Sequence, residues 1–113
     1  LKVIFDCSNG TAGPIIQKLK VKSLKLKVIN ERPDGNFPAH GPDPLKPNAV
    51  KQLQAEVKKQ KADLGAIFDA DGDRVFFVDN AGRFINPDII GWLLIWYLKP
   101  KKAIVDVRTG WLI

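Results

Sequence analysis

Three aspartates at alternate positions, Asp69, Asp71 and Asp73, with Gly72 among them and Arg74 directly after, are the residues of this chain whose types and spacing suit chemistry. Carboxylates this close repel one another unless a cation sits between them. Hard oxygen donors suit magnesium or calcium, and magnesium normally keeps coordination positions for water or phosphate oxygens. Three carboxylates therefore leave room for a substrate. Gly72 lets the backbone turn sharply, and Arg74 supplies a planar fork that grips a phosphate through two hydrogen bonds. Metal and guanidinium together would neutralise a phosphoryl group from two sides. On spacing alone, a solvated Asp/Gly-rich surface turn stays open as the alternative.

Two other readings of the loop were weighed against its wording. A calcium helix-loop-helix requires glycine at the sixth position and glutamate at the twelfth, where this chain has Arg74 and Asn80. A haloacid dehalogenase-like phosphatase fits better: the apolar run Leu64 to Phe68 leads into Asp69, a variable residue, Asp71 and Gly72. Asp69 would then be a nucleophile and Asp71 a general acid/base. Such loops usually continue with threonine into a helix, whereas this one continues through Asp73 and Arg74 into a hairpin pattern.

The elements that must position the loop are legible from apolar patterning. Lys2 to Asp6 reads as a strand, followed by the glycine-bearing loop Ser8 to Gly13 and a helix through about Lys20. Asn9 to Gly13 reads as a tight strand-to-helix turn in preference to an anion cradle. Leu24 to Ile29 is a second strand. Asn30 to Pro47 holds five prolines and two glycines and reads as a stiff, ordered surface loop. His40 is read as lying on its surface. A helix begins near Asn48 with Val50, Leu53 and Val57 on one face, and Lys58, Lys59 and Lys61 complement the dipole at its end. Leu64 to Phe68 suits a central strand buried on both faces. Val75 to Val78 and Arg83 to Ile85 flank the hairpin signature Asp79 to Gly82. Pro87 opens a further helix, and Ala103 to Val107 reads as a last strand. The order predicts a three-layer α/β/α sandwich on a mixed, mainly parallel four-stranded sheet with one antiparallel edge strand.

The chain has 113 residues, 45% of them hydrophobic and 27% charged, which suits a soluble globular domain. Apolar runs fall short of the roughly 20 residues that span a bilayer, so neither a membrane partner nor a signal peptide is expected, and the expected compartment is the cytoplasm. The net charge of +6 is carried partly by Lys18, Lys20, Lys22, Lys25 and Lys27. Lysines alternating with apolar residues on an edge strand guard against edge pairing, so no nucleic-acid partner is expected. The lone Cys7 follows an apolar run and reads as a buried structural thiol. The absence of methionine and the ending at Trp111 to Ile113 lead us to expect an internal piece of a longer polypeptide.

Four stretches in order, Asp6 to Gly13, Pro33 to Pro38, Pro42 to Pro44 and Asp69 to Arg74, resemble the second domain of the α-D-phosphohexomutase family, nearest its phosphomannomutase/phosphoglucomutase branch. The resemblance covers almost the whole chain. It implies residues 1–100 as the α/β/α domain II and residues 101–113 as the first strand of a following domain III. It further implies a four-domain enzyme that moves a phosphoryl group between the 1- and 6-positions of a hexose phosphate through a bisphosphorylated intermediate. Asp69, Asp71 and Asp73 would hold Mg2+ together with a phosphoserine from another domain of the same chain, and Arg74 would contact phosphate. Ala70 stands where many members carry glycine, a change expected to be tolerated unless the position needs a positive φ. Residues 1–113 alone are expected to be inactive.

Overall fold

The computed structural model describes residues 1–19 and 21–110. Five strands form one sheet in the order β2-β1-β3-β4-β5. They are β1 (Lys2–Asp6), β2 (Lys25–Ile29), β3 (Leu64–Phe68), β4 (Val75–Asp79) and β5 (Phe84–Ile85), and the helices are α1 (Ala12–Ile16), α2 (Lys51–Gln60) and α3 (Pro87–Leu98). β1 pairs in parallel with β2 and β3, while β3/β4 and β4/β5 are antiparallel. The α/β class is as expected. The strand count is five, not four, because the second arm of the hairpin makes its own short ladder with β4.

Alternation along the strands assigns the two faces. Ile4, Ile67, Phe76 and Val78 turn to one side and pack with Leu53, Val57 and Ala62 in a single cluster. Leu53 and Val57 lie one helical turn apart on α2, so both reach the sheet and both are fully buried. Each such side chain contributes roughly 1.5–3 kcal/mol by burial. On the other side Cys7, Ala12 and Ile16 form a smaller cluster, joined by Phe5, Val28 and Phe68. Helices thus cover both faces of the sheet.

Several elements depart from expectation. α1 is one turn and a half, ending in tighter i+3 turns at Lys18 and Leu19, because beyond Ile16 no side chain reaches the core to hold a longer helix; the expected end at Lys20 lies outside the described residues. α3 starts as expected at Pro87, capped by Asn86, whose side chain accepts from the Asp88 N–H. It buries none of its residues, and Ile90, Leu93 and Leu94 border an open apolar groove with Leu64 and Phe77. Ala103 to Val107 is not a strand: it pairs with no other strand among the described residues, and Ile104 and Val107 are fully exposed. An apolar run has no ladder without a neighbour to bond. Residues 111–113, the end of the stretch 101–113 that the resemblance assigns to a following domain, lie outside the described residues.

Candidate metal centre

Parallel strands place their carboxyl ends at one edge of a sheet, where α/β proteins assemble their sites. β1 delivers the loop from Cys7, β2 the long loop from Asn30, and β3 the acidic loop from Asp69. The three loops bond to one another. Thr11 N–H donates to the Ala70 carbonyl at 2.8 Å, and the Ala70 N–H donates to the Pro42 carbonyl at 3.1 Å. Ala70 is therefore pinned from both sides by the other two loops.

Glycine is needed at two points. Gly10 is buried, and a Cβ there would collide with the carbonyl of Ala70. Gly72 has φ of 73°, the left-handed conformation that glycine adopts without strain. Ala70 is not among the residues with positive φ, so alanine is accommodated there. The amides of the 9–11 turn are engaged internally, by Asn30 O, Cys7 O and Ala70 O. Residues 9–11 thus serve as a strand-to-helix turn whose amides are spent within the protein.

Asp69, Asp71 and Asp73 each offer a carboxylate oxygen, and these oxygens lie within 4.8 Å of one another. Asp69 is 3% exposed, whereas Asp71 and Asp73 face solvent. Its two oxygens accept from Arg74: the backbone N–H at 3.1 Å and Nε at 2.7 Å. A carboxylate oxygen has two lone pairs, so capacity remains for a cation. Burial works to raise the Asp69 pKa, but Arg74 overcomes it and holds the carboxyl below its usual range. Asp73 is displaced upward by its close approach to the Asp69 carboxyl and by the charge of Asp71. A divalent cation among the three carboxylates would relieve that repulsion. The donor set, three hard carboxylates on an open concavity of about 430 Å³, fits a hard divalent cation such as magnesium or calcium.

Arg74 sits between two carboxylates, with Nη2 3.6 Å from Asp43 Oδ1. Asp69 is the chief cause of its raised pKa, with Asp43 adding to it. The structure thus brings together all four residues read from the sequence and adds Pro42 and Asp43 to the lining. Their signal was the Pro42-Asp43-Pro44 motif, to which no role was attached.

His40 is not on the surface. Its side chain is 7% exposed, and Nε2 lies 2.9 Å from Oδ2 of the fully buried Asp6. The other Asp6 oxygen accepts from Ser8 N–H and Asn30 Nδ2, each at 2.9 Å. Ser8 and Asn9 hold positive φ of 52° and 54° without being glycine; the Ser8 hydroxyl donates to the Phe68 carbonyl and Asn9 Nδ2 to the Arg32 carbonyl. Strain of this kind persists where surrounding bonds over-determine it. Cys7 is buried, and desolvation, then the charges of Asp6 and Glu31, push its thiol up to about 12.

A family model described as phosphoglucomutase/phosphomannomutase, alpha/beta/alpha domain II, matches residues 1–82. The phosphomannomutase/phosphoglucomutase of Pseudomonas aeruginosa strain PAO1 is 51% identical over 90 residues, covering 78% of this chain and 19% of that protein. The phosphomannomutase of Methanocaldococcus jannaschii is 44% identical over 115 residues, covering 96% of this chain and 25% of that one. A crystal structure of a phosphoglucomutase/phosphomannomutase family protein from Burkholderia thailandensis superposes with a TM-score of 0.75 at 35% identity, over 87% of this chain and 22% of that one. This chain therefore spans only about a fifth to a quarter of the length of these relatives.

Proposed function

The chain belongs to the phosphoglucomutase/phosphomannomutase family, matching its α/β/α domain II, and from that premise we propose that it is the metal-binding domain of a phosphohexomutase. The parent enzyme would move a phosphoryl group between the 1- and 6-positions of a mannose or glucose phosphate, through a phosphoserine enzyme and a bisphosphate intermediate. The observation that carries this reading is the convergence of three carboxylate oxygens within 4.8 Å at the carboxyl edge of the parallel strands, with Arg74 alongside.

Asp69, Asp71 and Asp73 would hold Mg2+, which when bound withdraws charge from a phosphoryl oxygen. The protein's own part is orientation. Asp69 is fixed by Arg74 and needs no rearrangement to present its carboxylate. Asp71 and Asp73 sit on the exposed rim, where a phosphate-bearing partner can approach. Arg74 has an exposed guanidinium held only by side chains, so it can turn a donor toward a substrate phosphate and hold it for transfer. The phosphoserine and the sugar contacts would come from other domains of the same polypeptide, so residues 1–113 alone would be inactive. The reading assigns residues 1–100 to this domain and 101–113 to the start of the next, takes hexose phosphate as substrate without nucleic-acid or membrane partners, and places the parent in the cytoplasm.

An aspartyl-nucleophile phosphatase suits this chain less well, because after Asp73 and Arg74 the loop runs into the antiparallel strand β4 and not into a helix. Incubating the chain with glucose 1-phosphate and Mg2+ separates the two. The mutase reading expects neither 6-phosphate nor free phosphate from this chain alone, and a parent polypeptide that interconverts the two esters and loses that activity in Asp71→Asn. Release of inorganic phosphate that depends on Asp69 would overturn it.

A further inference from the structure

Beyond the acidic loop, the same edge of the sheet carries a buried histidine–aspartate pair that the proposed chemistry does not use. Asp6 is fully buried at the end of β1, and His40 reaches it from the long loop with its side chain 93% withdrawn from solvent. An unpaired buried carboxylate is costly, and a charge-assisted bond to imidazole offsets that cost. His40 Nδ1 is buried and finds no hydrogen-bond partner among the described residues. The ring is thus held to Asp6 through Nε2.

What the pair holds in place lies two residues further on. Gly41 follows His40 with φ of 86°, and a Cβ there would meet nothing within 4 Å. Glycine is required at this point by backbone conformation and not by space. The turn aims the Pro42 carbonyl at the Ala70 N–H and brings Asp43 beside Arg74. The neighbouring anchors of this stretch, Ala39 N–H to Asn9 Oδ1 and Gly41 N–H to the Phe37 carbonyl, are longer, at 3.2 Å each.

We propose that His40 is a positioning residue for the acidic loop: its bond to Asp6 clamps the segment 40–43, which sets Ala70 through Pro42 and Arg74 through Asp43. The inference rests on the metal-site reading for its functional consequence, but not for its structural one. In the unsubstituted chain the Ala70 amide, bonded to the Pro42 carbonyl, is expected to be protected from hydrogen exchange. In His40→Ala that protection falls by about tenfold or more, while the Ile4 and Ile67 amides of the central strands keep theirs. Affinity for Mn2+, used alone as the probe, falls by roughly tenfold, as is usual when a group supporting metal ligands is lost. His40→Gln, which retains an N–H donor for Asp6, restores most of both.

Gly41→Val tests the same relay without touching the buried pair. A β-branched residue resists positive φ, so the turn re-aims Pro42, and Ala70 protection and Mn2+ affinity fall as they do for His40→Ala. The proposal is overturned if Ala70 protection is unchanged in both His40→Ala and Gly41→Val, or if His40→Ala loosens Ile4, Ile67 and Ala70 equally and Gly41→Val loosens none. An unsubstituted chain that binds no Mn2+ would sink the metal-site reading, and the Ala70 exchange rates would still decide the clamp.

Discussion

Gly10→Ala puts the packing between the β1 loop and the acidic loop under direct test. The added Cβ would lie 2.9 Å from both the carbonyl carbon and the Cα of Ala70 and closer still to its oxygen. Carbon atoms prefer about 3.5–4.0 Å, so the two backbones must separate by most of an ångström. Neither side is a flexible side chain that can step aside, and the Thr11 N–H bond to the Ala70 carbonyl stretches with the displacement. Overpacking of this kind costs about 1–3 kcal/mol. The control is Gly35→Ala, an exposed position where a Cβ meets nothing within 4 Å, expected to change stability by less than about 0.5 kcal/mol. Urea unfolding followed by circular dichroism gives both values, and a Mn2+ titration of the two variants reports the loop. A tenfold weaker affinity confined to Gly10→Ala is expected. If Gly10→Ala proves as mild as Gly35→Ala in both assays, the close approach does not hold the loop and the reasoning fails.

Other expectations concern the core, the thiol and the buried pair. Leu53→Ala should cost about 2–5 kcal/mol in urea unfolding, since the side chain is fully buried among Ile4, Val57 and Ile67; a loss under 1 kcal/mol would mean the α2 face is not the core. With its thiol raised to about 12, Cys7 should resist iodoacetamide at pH 8 in the folded chain and react readily in urea, and fast labelling of the native state would contradict its burial. The hydrogen bond to Asp6 raises the His40 pKa, so the folded state favours the imidazolium. Its stabilisation is complete below the unfolded value of about 6.5 and is lost as pH rises through the folded value. The stability difference between the unsubstituted chain and His40→Gln should therefore shrink as pH rises above about 6.5, and a difference that grows with pH would reverse the assignment.

The strands and the acidic loop were legible because each is local. Leu64 to Phe68 is an unbroken apolar run, and Asp69 to Arg74 needs only alternate spacing to bring its carboxylates together. The short arm Phe84–Ile85 was seen as part of a hairpin but not counted as a ladder, since two residues carry little period. Ala103 to Val107 has strand composition yet forms none, because pairing is supplied by a neighbour and not by the run itself. His40 was misplaced for the converse reason. A lone histidine in a proline-rich loop has no periodicity to mark it as buried, and its partner Asp6 is 34 residues away. The role of Pro42 is hidden likewise, because a backbone carbonyl leaves no trace in composition, and that of Asp43 because its partner Arg74 is distant in the sequence.

The most direct test of the central claim is a Mg2+ titration of the isotopically labelled chain followed by amide chemical shifts. We expect one saturable site with shifts concentrated on residues 69–74, and at least a tenfold loss of affinity in Asp71→Asn. Shifts scattered over the surface, or unchanged affinity in that variant, would contradict the assignment of Asp69, Asp71 and Asp73 as a metal centre.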